Sequence, residues 1–488
     1  MSELDYVSDI CGASRRRPLR DERFPNEKKN TFQIHKYCFK IMKKDTYFYK
    51  TYFTLFGTVA AQSLIVFSVN LADSVMLGRY SEVAMSGVSL ANQIQFLLIC
   101  LINGVGTGLV TLGSQYWGKR DTASVKKVYA AAFYTAVAIA AVMAAVVSVA
   151  PAGVQGLLSD DTEIVAAGAQ YIRIMAHSYL VFAVSYSLIC LMRAVESVRI
   201  GFYTSVVALA VNIFLNYVLI FGHLGFPEMG VKGAAVATLI SRVAELVYVL
   251  FYVFVYDKKL RLRVADVFKA ERSFVRDYLK VGLPPVGSGG SWGVAMFLQT
   301  AIIGRLGPAA IGANAVSAPV FQVVAVLYTS ASSASAVLTA KTVGEGDLPR
   351  LKTYVKRFQV IFLITGAVSS AVLFSCRRLI VGFYDVSADT RALSVTFLTI
   401  LAISVFGSAY EAPCLVGVVS GGGDTAFVFK NDIIFMWCLV LPLSALSAFV
   451  FRWPIPVTFF LLKMDQLLKC VVAAVKVNRF KWVKKLTR

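Results

Sequence analysis

Val69-Asn70-Leu71-Ala72-Asp73-Ser74-Val75-Met76-Leu77-Gly78-Arg79 sets one carboxylate inside an apolar run long enough to cross a bilayer. A carboxylate at hydrocarbon depth costs about 2.5–3.5 kcal/mol on insertion scales, so it faces a bundle interior or a wet cavity, where it binds an ion or a proton. The other reading places Asp73, close before Gly78, near the headgroups, where it solvates a helix end.

The surrounding chain decides which class of protein this is. Its 488 residues are 57% hydrophobic and only 16% charged, with a mean hydropathy of +0.67, which excludes a soluble globular protein of this length. Apolar stretches of about 20 residues, the length that crosses a ~30 Å hydrocarbon core as helix, lie near 52–78, 88–114, 128–151, 168–192, 200–222, 231–256, 278–303, 312–338, 356–376, 394–419, 427–450 and 454–476. The expectation is an all-α polytopic membrane protein with twelve transmembrane helices.

A net charge of +21 would suit a nucleic-acid binder, but its distribution argues against one. Lys119, Arg120, Lys126 and Lys127 fall between helices two and three; Lys258, Lys259, Arg261, Arg263, Lys269, Arg272, Arg276 and Lys280 between six and seven; Lys341, Arg350, Lys352, Lys356 and Arg357 between eight and nine. The alternate loops hold little beyond Arg79, Arg305, Arg377, Arg378, Arg391 and Arg452. The positive-inside rule then places both termini in the cytoplasm, with the chain in the plasma (inner) membrane and no nucleic-acid partner. The 8 cysteines show no C-x-x-C pair and are expected as free thiols. Residues 1–41 are polar and basic, show no cleavable signal peptide and are expected to be disordered. An aromatic and basic interfacial segment follows from Met42, itself an expected alternative start, and residues 477–488 form a basic tail.

A shift of 226 residues aligns Gly78-Arg79 with Gly304-Arg305, Ala84 with Ala310, Leu112 with Leu338, Gly118 and Asp121 with Gly344 and Asp347, Lys126 with Lys352, and Ala176 with Ala402. The chain therefore reads as two pseudo-symmetric six-helix bundles, residues 52–256 and 278–476, joined by a basic connector, 257–277. Parallel repeats of this kind place a binding cleft between the halves near the midplane. The halves are chemically unequal, because the shift sets Asp73 opposite Gln299. The second half instead carries Glu411 in Ser408-Ala409-Tyr410-Glu411-Ala412-Pro413, where Pro413 can kink the helix and free carbonyls for an ion or water. Glu411 is either functional or a structural hydrogen-bonder.

Asn212 and Asn216 stand four apart, on one face of helix five. They bond across helices or complete a cation shell. Thr238, after the small-residue run Gly233-Ala234-Ala235, can add an oxygen ligand. Gly287-Ser288-Gly289-Gly290-Ser291, after Pro284-Pro285, reads as a broken, deformable helix with Trp292 beside it as a contact surface. Gly421-Gly422-Gly423-Asp424-Thr425 lacks the strand and the Gly-Lys-Ser/Thr ending of a phosphate loop and reads as a flexible turn. His177 reads as a packing hydrogen-bonder.

Leu71-Ala72-Asp73-Ser74-Val75-Met76-Leu77-Gly78, Asn212 to Asn216 with Leu219-Ile220-Phe221-Gly222, Pro227-Glu228-Met229-Gly230-Val231-Lys232-Gly233-Ala234-Ala235 and Gly422-Gly423-Asp424-Thr425 together resemble the multidrug and toxic compound extrusion (MATE) family, over about residues 45–488. The resemblance implies a secondary active antiporter, with no cofactor, working by alternating access around a central cleft between two lobes. It would export organic, mostly cationic, compounds against Na+ or H+. Carried over residue by residue, the amino-half cation site falls on Asp73, Asn212, Asn216 and Thr238, with Asp73 the Na+ ligand if sodium couples transport. The substrate cleft would draw on Glu411, Gln299, Trp292 and Tyr410. The sequence departs from the family pattern in having Asn216 where some members carry an aspartate, and no glutamate in helix seven. The expected state is a monomer in the bilayer. The rival within the superfamily is a lipid-linked oligosaccharide flippase, for which Arg173 and Lys463 are the basic residues in question. A membrane hydrolase or an ion channel would need a catalytic constellation or a pore loop that the spans do not show.

Overall fold

The computed structural model describes the backbone from residue 25 and side chains from Thr46. Every regular element among the described residues is helical. We label the principal helices α1 (Pro25–Tyr80), α2 (Glu82–Gly118), α3 (Thr122–Val149), α4 (Thr162–Ala194), α5 (Arg199–Phe221), α6 (Gly230–Phe251), α7 (Arg272–Gly304), α8 (Pro308–Glu345), α9 (Leu348–Gly382), α10 (Ala388–Ala412), α11 (Thr425–Ile433), α12 (Ile455–Lys463) and α13 (Asp465–Asn478). Counting the irregular turns that extend some of them, 10 helices among the described residues are long and apolar enough to cross a membrane. The stretches expected at 278–303 and 454–476 are found as α7 and as the pair α12 and α13.

The chain divides after Thr51, and Tyr52–Arg488 is the larger unit. Backbone 25–41 is helical where disorder was expected, since extending an existing helix adds a hydrogen bond per residue without a new nucleus. The expectations for residues 1–24, and for the side chains around Met42, lie outside the described residues.

The 226-residue repeat is visible as repeated local physics. Asp121 begins α3 and Asp347 begins α9, and each carboxylate accepts a backbone N–H three residues on, from Ser124 and from Arg350, both at 3.0 Å. These are helix N-caps, satisfying a donor the helix itself leaves open. The repeat also builds a seam. Near their carboxyl ends, α2 and α8 cross so that Gly118 lies on the carbonyl of Lys341 and Gly344 on the carbonyl of Gln115, the same contact made twice with the halves exchanged. A Cβ at either glycine would overlap backbone, so only glycine permits this approach. Higher up α2, Gly104 meets Pro285 and Cys100 meets Gly289 of α7.

That contact explains a correction. The Pro-Gly stretch expected to break helix seven lies inside the continuous α7, with Pro284 and Pro285 within it. Its small residues serve close packing against α2 instead of a break. The expected disturbance at Pro413 is present: α10 changes there into the π-helical turn Pro413–Val419. The 6 cysteines among the described residues are free.

Candidate functional site

Asp73 of α1 is buried, at 7% exposure, and does not solvate a helix end. Asn212 and Asn216 of α5 are both fully buried, and Thr238 of α6 is buried beside them. The spacing of four turns both amides to one face of α5, and the face meets α1 on one side and α6 on the other. The four residues form one chain of hydrogen bonds. Asn216 donates its amide to Asp73 and to Asn212 Oδ1 at 3.1 Å. Asn212 donates to Thr238 Oγ1 at 3.3 Å, and Thr238 donates to the Ala234 carbonyl at 2.9 Å.

The direction of donation has a chemical consequence. With its amide nitrogen committed to two acceptors, Asn216 presents Oδ1 without a hydrogen-bond partner. A buried acceptor left unpaired costs about 1–3 kcal/mol. The site therefore offers one carboxylate and a spare neutral oxygen, a donor set suited to a small cation. A proton would serve on Asp73 alone. The arrangement joins all four residues expected for the amino half.

Two residues near this site escaped the sequence reading. Arg242, one turn beyond Thr238 on α6, pairs with Glu245 at 2.8 Å and lies over the Phe182 ring at 5.2 Å. Tyr171 of α4 is buried next to Thr238 and Asp73. The signal for the first was present: two opposite charges three apart inside an apolar span.

The carboxyl-half residues are not gathered into one set. Gln299 is buried in α7 and accepts from Lys463 Nζ at 3.1 Å, and Lys463 also lies over the Phe321 ring at 5.1 Å. Tyr410 donates to Gln359 Oε1 at 2.9 Å, toward α9. Trp292 stands exposed against Phe96, with ring centroids 5.6 Å apart. Glu411 belongs to a charge cluster with Lys469, Asp432 and Asp465, in which Lys469 lies 3.0 Å from Asp432 and 3.4 Å from Asp465. An open surface groove of about 630 Å3 beside α1 and α5, lined by Leu71, Val75, Met76, Tyr217 and His223, includes none of the expected cleft residues.

Comparison with known proteins follows the same two halves. Residues 59–218 and 293–446 match the MatE family model. The chain is 25% identical over 394 residues to "Uncharacterized transporter YisQ" of Bacillus subtilis (strain 168), covering 79% of this chain and 84% of that protein. It is 24% identical over 407 residues to "Probable multidrug resistance protein NorM" of Listeria innocua, covering 81% and 87%. Among solved structures, "Outward-facing conformation of a multidrug resistance MATE family transporter of the MOP superfamily" superposes with a TM-score of 0.78 at 18% identity, covering 88% of this chain and 96% of that one. A MOP superfamily transporter from Pyrococcus furiosus superposes with a TM-score of 0.81 at 17% identity, covering 90% and 97%.

Proposed function

The chain belongs to the MatE family of membrane transporters, and from that premise we propose that it is a secondary active antiporter exporting small organic compounds, mostly cations, in exchange for Na+ or H+. The observation that carries the reading is Asp73, buried in a membrane-length helix with neutral amides as its hydrogen-bond partners and the unpaired Asn216 Oδ1 beside it. A coupling ion drives transport only by binding two conformations unequally, and a buried carboxylate whose charge an ion or proton must satisfy provides that inequality. The multidrug resistance named for the relatives supports organic compounds as substrates.

In this reading twelve helices cross the plasma membrane, with α7 and the α12–α13 pair completing the set. Residues 52–256 and 278–476 form two six-helix lobes that rock about the connector 257–277, both termini are cytoplasmic and the unit is a monomer. The flippase alternative needs basic groups gathered on an anionic headgroup. Of the two in question, Lys463 is held by Gln299, and Arg173 is exposed on α4; Arg242 and Lys469 are held by Glu245 and Asp432. The test is uptake of a fluorescent organic cation by proteoliposomes under imposed Na+ or pH gradients, with a pyrophosphate-linked lipid in a parallel assay. Cation movement that follows either gradient supports the proposal and names the ion; lipid movement with no cation movement refutes it.

A further inference from the structure

The seam between α2 and α8 is closed in two ways that the repeat makes comparable. On one side, Lys341 of α8 reaches Glu196, in the turn between α4 and α5, with Nζ 2.8 and 2.9 Å from the two carboxylate oxygens. The same 226-residue shift turns Lys341 back into Gln115 and Glu196 into Gly422. A glutamine facing a residue with no side chain cannot form the equivalent bridge. The space is filled by residues 482–488.

The fit is detailed. The Trp482 ring is fully buried on the Cα of Gly422, where a Cβ would overlap it. Gly423, at φ +102°, takes a left-handed conformation and packs against Leu486. The Lys484 N–H donates to the Gly422 carbonyl at 2.8 Å. Gln115 then grips the far edge of the segment: its amide donates to the Lys484 carbonyl at 3.2 Å, and its Oε1 accepts from the Leu486 N–H at 3.0 Å. Lys484 and Lys476 pair with Asp424 at 2.7 and 2.8 Å. Burial pushes the Asp424 carboxyl up, but the hydrogen bonds and charges of these two lysines outweigh it and hold it below its ordinary value. At the end of the segment Arg488 pairs with Asp277 of α7 at 2.8 Å, and its carbonyl accepts from Lys119 at 2.7 Å. The stretch 421–424, which reads in sequence as a flexible turn, is a buried dock.

We propose that residues 482–488 are a strap that ties α2 to the α10–α11 turn, acting as the counterpart of the Lys341–Glu196 bridge and holding the basic end of the transporter closed. The proposal rests on the rocking of two halves set out above, and it adds a control element to that motion. Each opening of the basic end must release the Gln115 contacts while the segment stays on Gly422 and Asp424, or the reverse. The strap therefore biases the resting population toward the closed form and sets how readily the transporter resets.

Spin labels at Ala123→Cys and Thr353→Cys, both exposed on the basic end, report its opening by pulsed dipolar spectroscopy in nanodiscs. Trp482→Ala removes the docked ring, and Gln115→Glu keeps the shape of the side chain but sets a carboxylate against the Lys484 carbonyl. Lys341→Met opens the opposite bridge for comparison. The expected result is a long-distance fraction raised about threefold or more by Gln115→Glu and by Trp482→Ala, and to a similar degree by Lys341→Met. Monodisperse elution and an intact melting transition establish folding, and Gln115→Glu decides the matter if Trp482→Ala fails them. If the distances move under an imposed ion gradient yet ignore both strap variants, the strap is refuted and rocking stands. If one fixed distance persists in every variant while transport continues, rocking falls and the strap with it.

Discussion

Asp73 in α1 and Gln299 in α7 occupy equivalent positions of the repeat, but one carries a charge and the other does not. Around Asp73 the hydrogen-bond partners are neutral amides, so none of them cancels the carboxylate's charge. Arg242 lies close enough to be felt, but it is committed to Glu245. Around Gln299 the position has lost its charge, and a lysine, Lys463, donates to it. The nearby acids Glu411, Asp432 and Asp465 share one cation, Lys469, which pairs with Asp432 and Asp465. The amino half buries one carboxylate among neutral partners, whereas the carboxyl half gathers three carboxylates around a single lysine. Under the proposed antiport, the lone carboxylate of the amino half is the coupling candidate, because a buried charge with only neutral hydrogen-bond partners is costly enough for a single site to govern a conformational equilibrium.

The largest effect should come from removing that charge. Asp73→Asn imitates the protonated acid in both conformations, so gradient-driven export should fall on the order of 100-fold while the protein still folds and binds substrate. Export at the parental rate, measured in proteoliposomes at matched protein, would remove Asp73 from the coupling step. Next in size is Lys469→Met, which leaves Asp432 and Asp465 without their cation. Breaking a buried pair from one side costs about 3–5 kcal/mol, read as a lowered melting temperature, and Asp432→Asn with Asp465→Asn in the same protein should restore much of it. A melting temperature unaffected by Lys469→Met would mean that Lys469 does not stabilise Asp432 and Asp465 in the way its geometry indicates.

Glu411→Gln sharpens the comparison further. Because Asp432 and Asp465 remain beside Lys469, losing one carboxylate of the cluster should weaken organic-cation affinity about tenfold or less, and leave the gradient dependence of transport intact. Binding of a fluorescent cation, titrated alongside efflux, separates the two. A coupling defect larger than that of Asp73→Asn would exchange the roles of the halves.

How much of this could be read beforehand depended on sequence distance. The clustering of the amino-half residues was legible because Asn212 and Asn216 share a helix face by their spacing, and because an aspartate in an apolar run demands an explanation. The repeat was legible in Gly118, Asp121, Gly344 and Asp347, polar or special positions that chance matching of apolar helices does not produce. The carboxyl half was not, since Lys463, Lys469, Asp432 and Glu411 stand on different helices and no spacing connects them. Asp465 and Lys469, four apart, were the available signal. Gly421-Gly422-Gly423 misled for a related reason: glycine marks both flexible turns and close packing, and the ring that packs there, Trp482, lies far along the chain. Pro284-Pro285 misled because packing against α2 supports a helix that the isolated sequence would break.

The smallest effect tests whether the neutral ligands matter at all. Asn216 and Asn212 form a relay in which each amide donates to the next oxygen, from Asn216 to Asn212 to Thr238, leaving Asn216 Oδ1 unpaired at its start. If that oxygen coordinates the coupling ion, Asn216→Ala removes a neutral ligand worth about 1 kcal/mol, and the ion concentration for half-maximal transport should rise about fivefold with the maximal rate retained. Asn212→Ala should act less, because it touches the ion only through the orientation it imposes on Asn216. Asn216→Asp works in the other direction: it places a second carboxylate against Asp73, where two like charges in a buried site cannot both be free of a cation or proton. That variant should bind the ion more tightly and reset more slowly, bringing the amino half closer to a site that holds its charge permanently. Half-maximal ion concentration measured across the three variants orders them, and an ion dependence indistinguishable from the parent in all three would return both amides to interhelical packing and leave Asp73 as the sole coupling group.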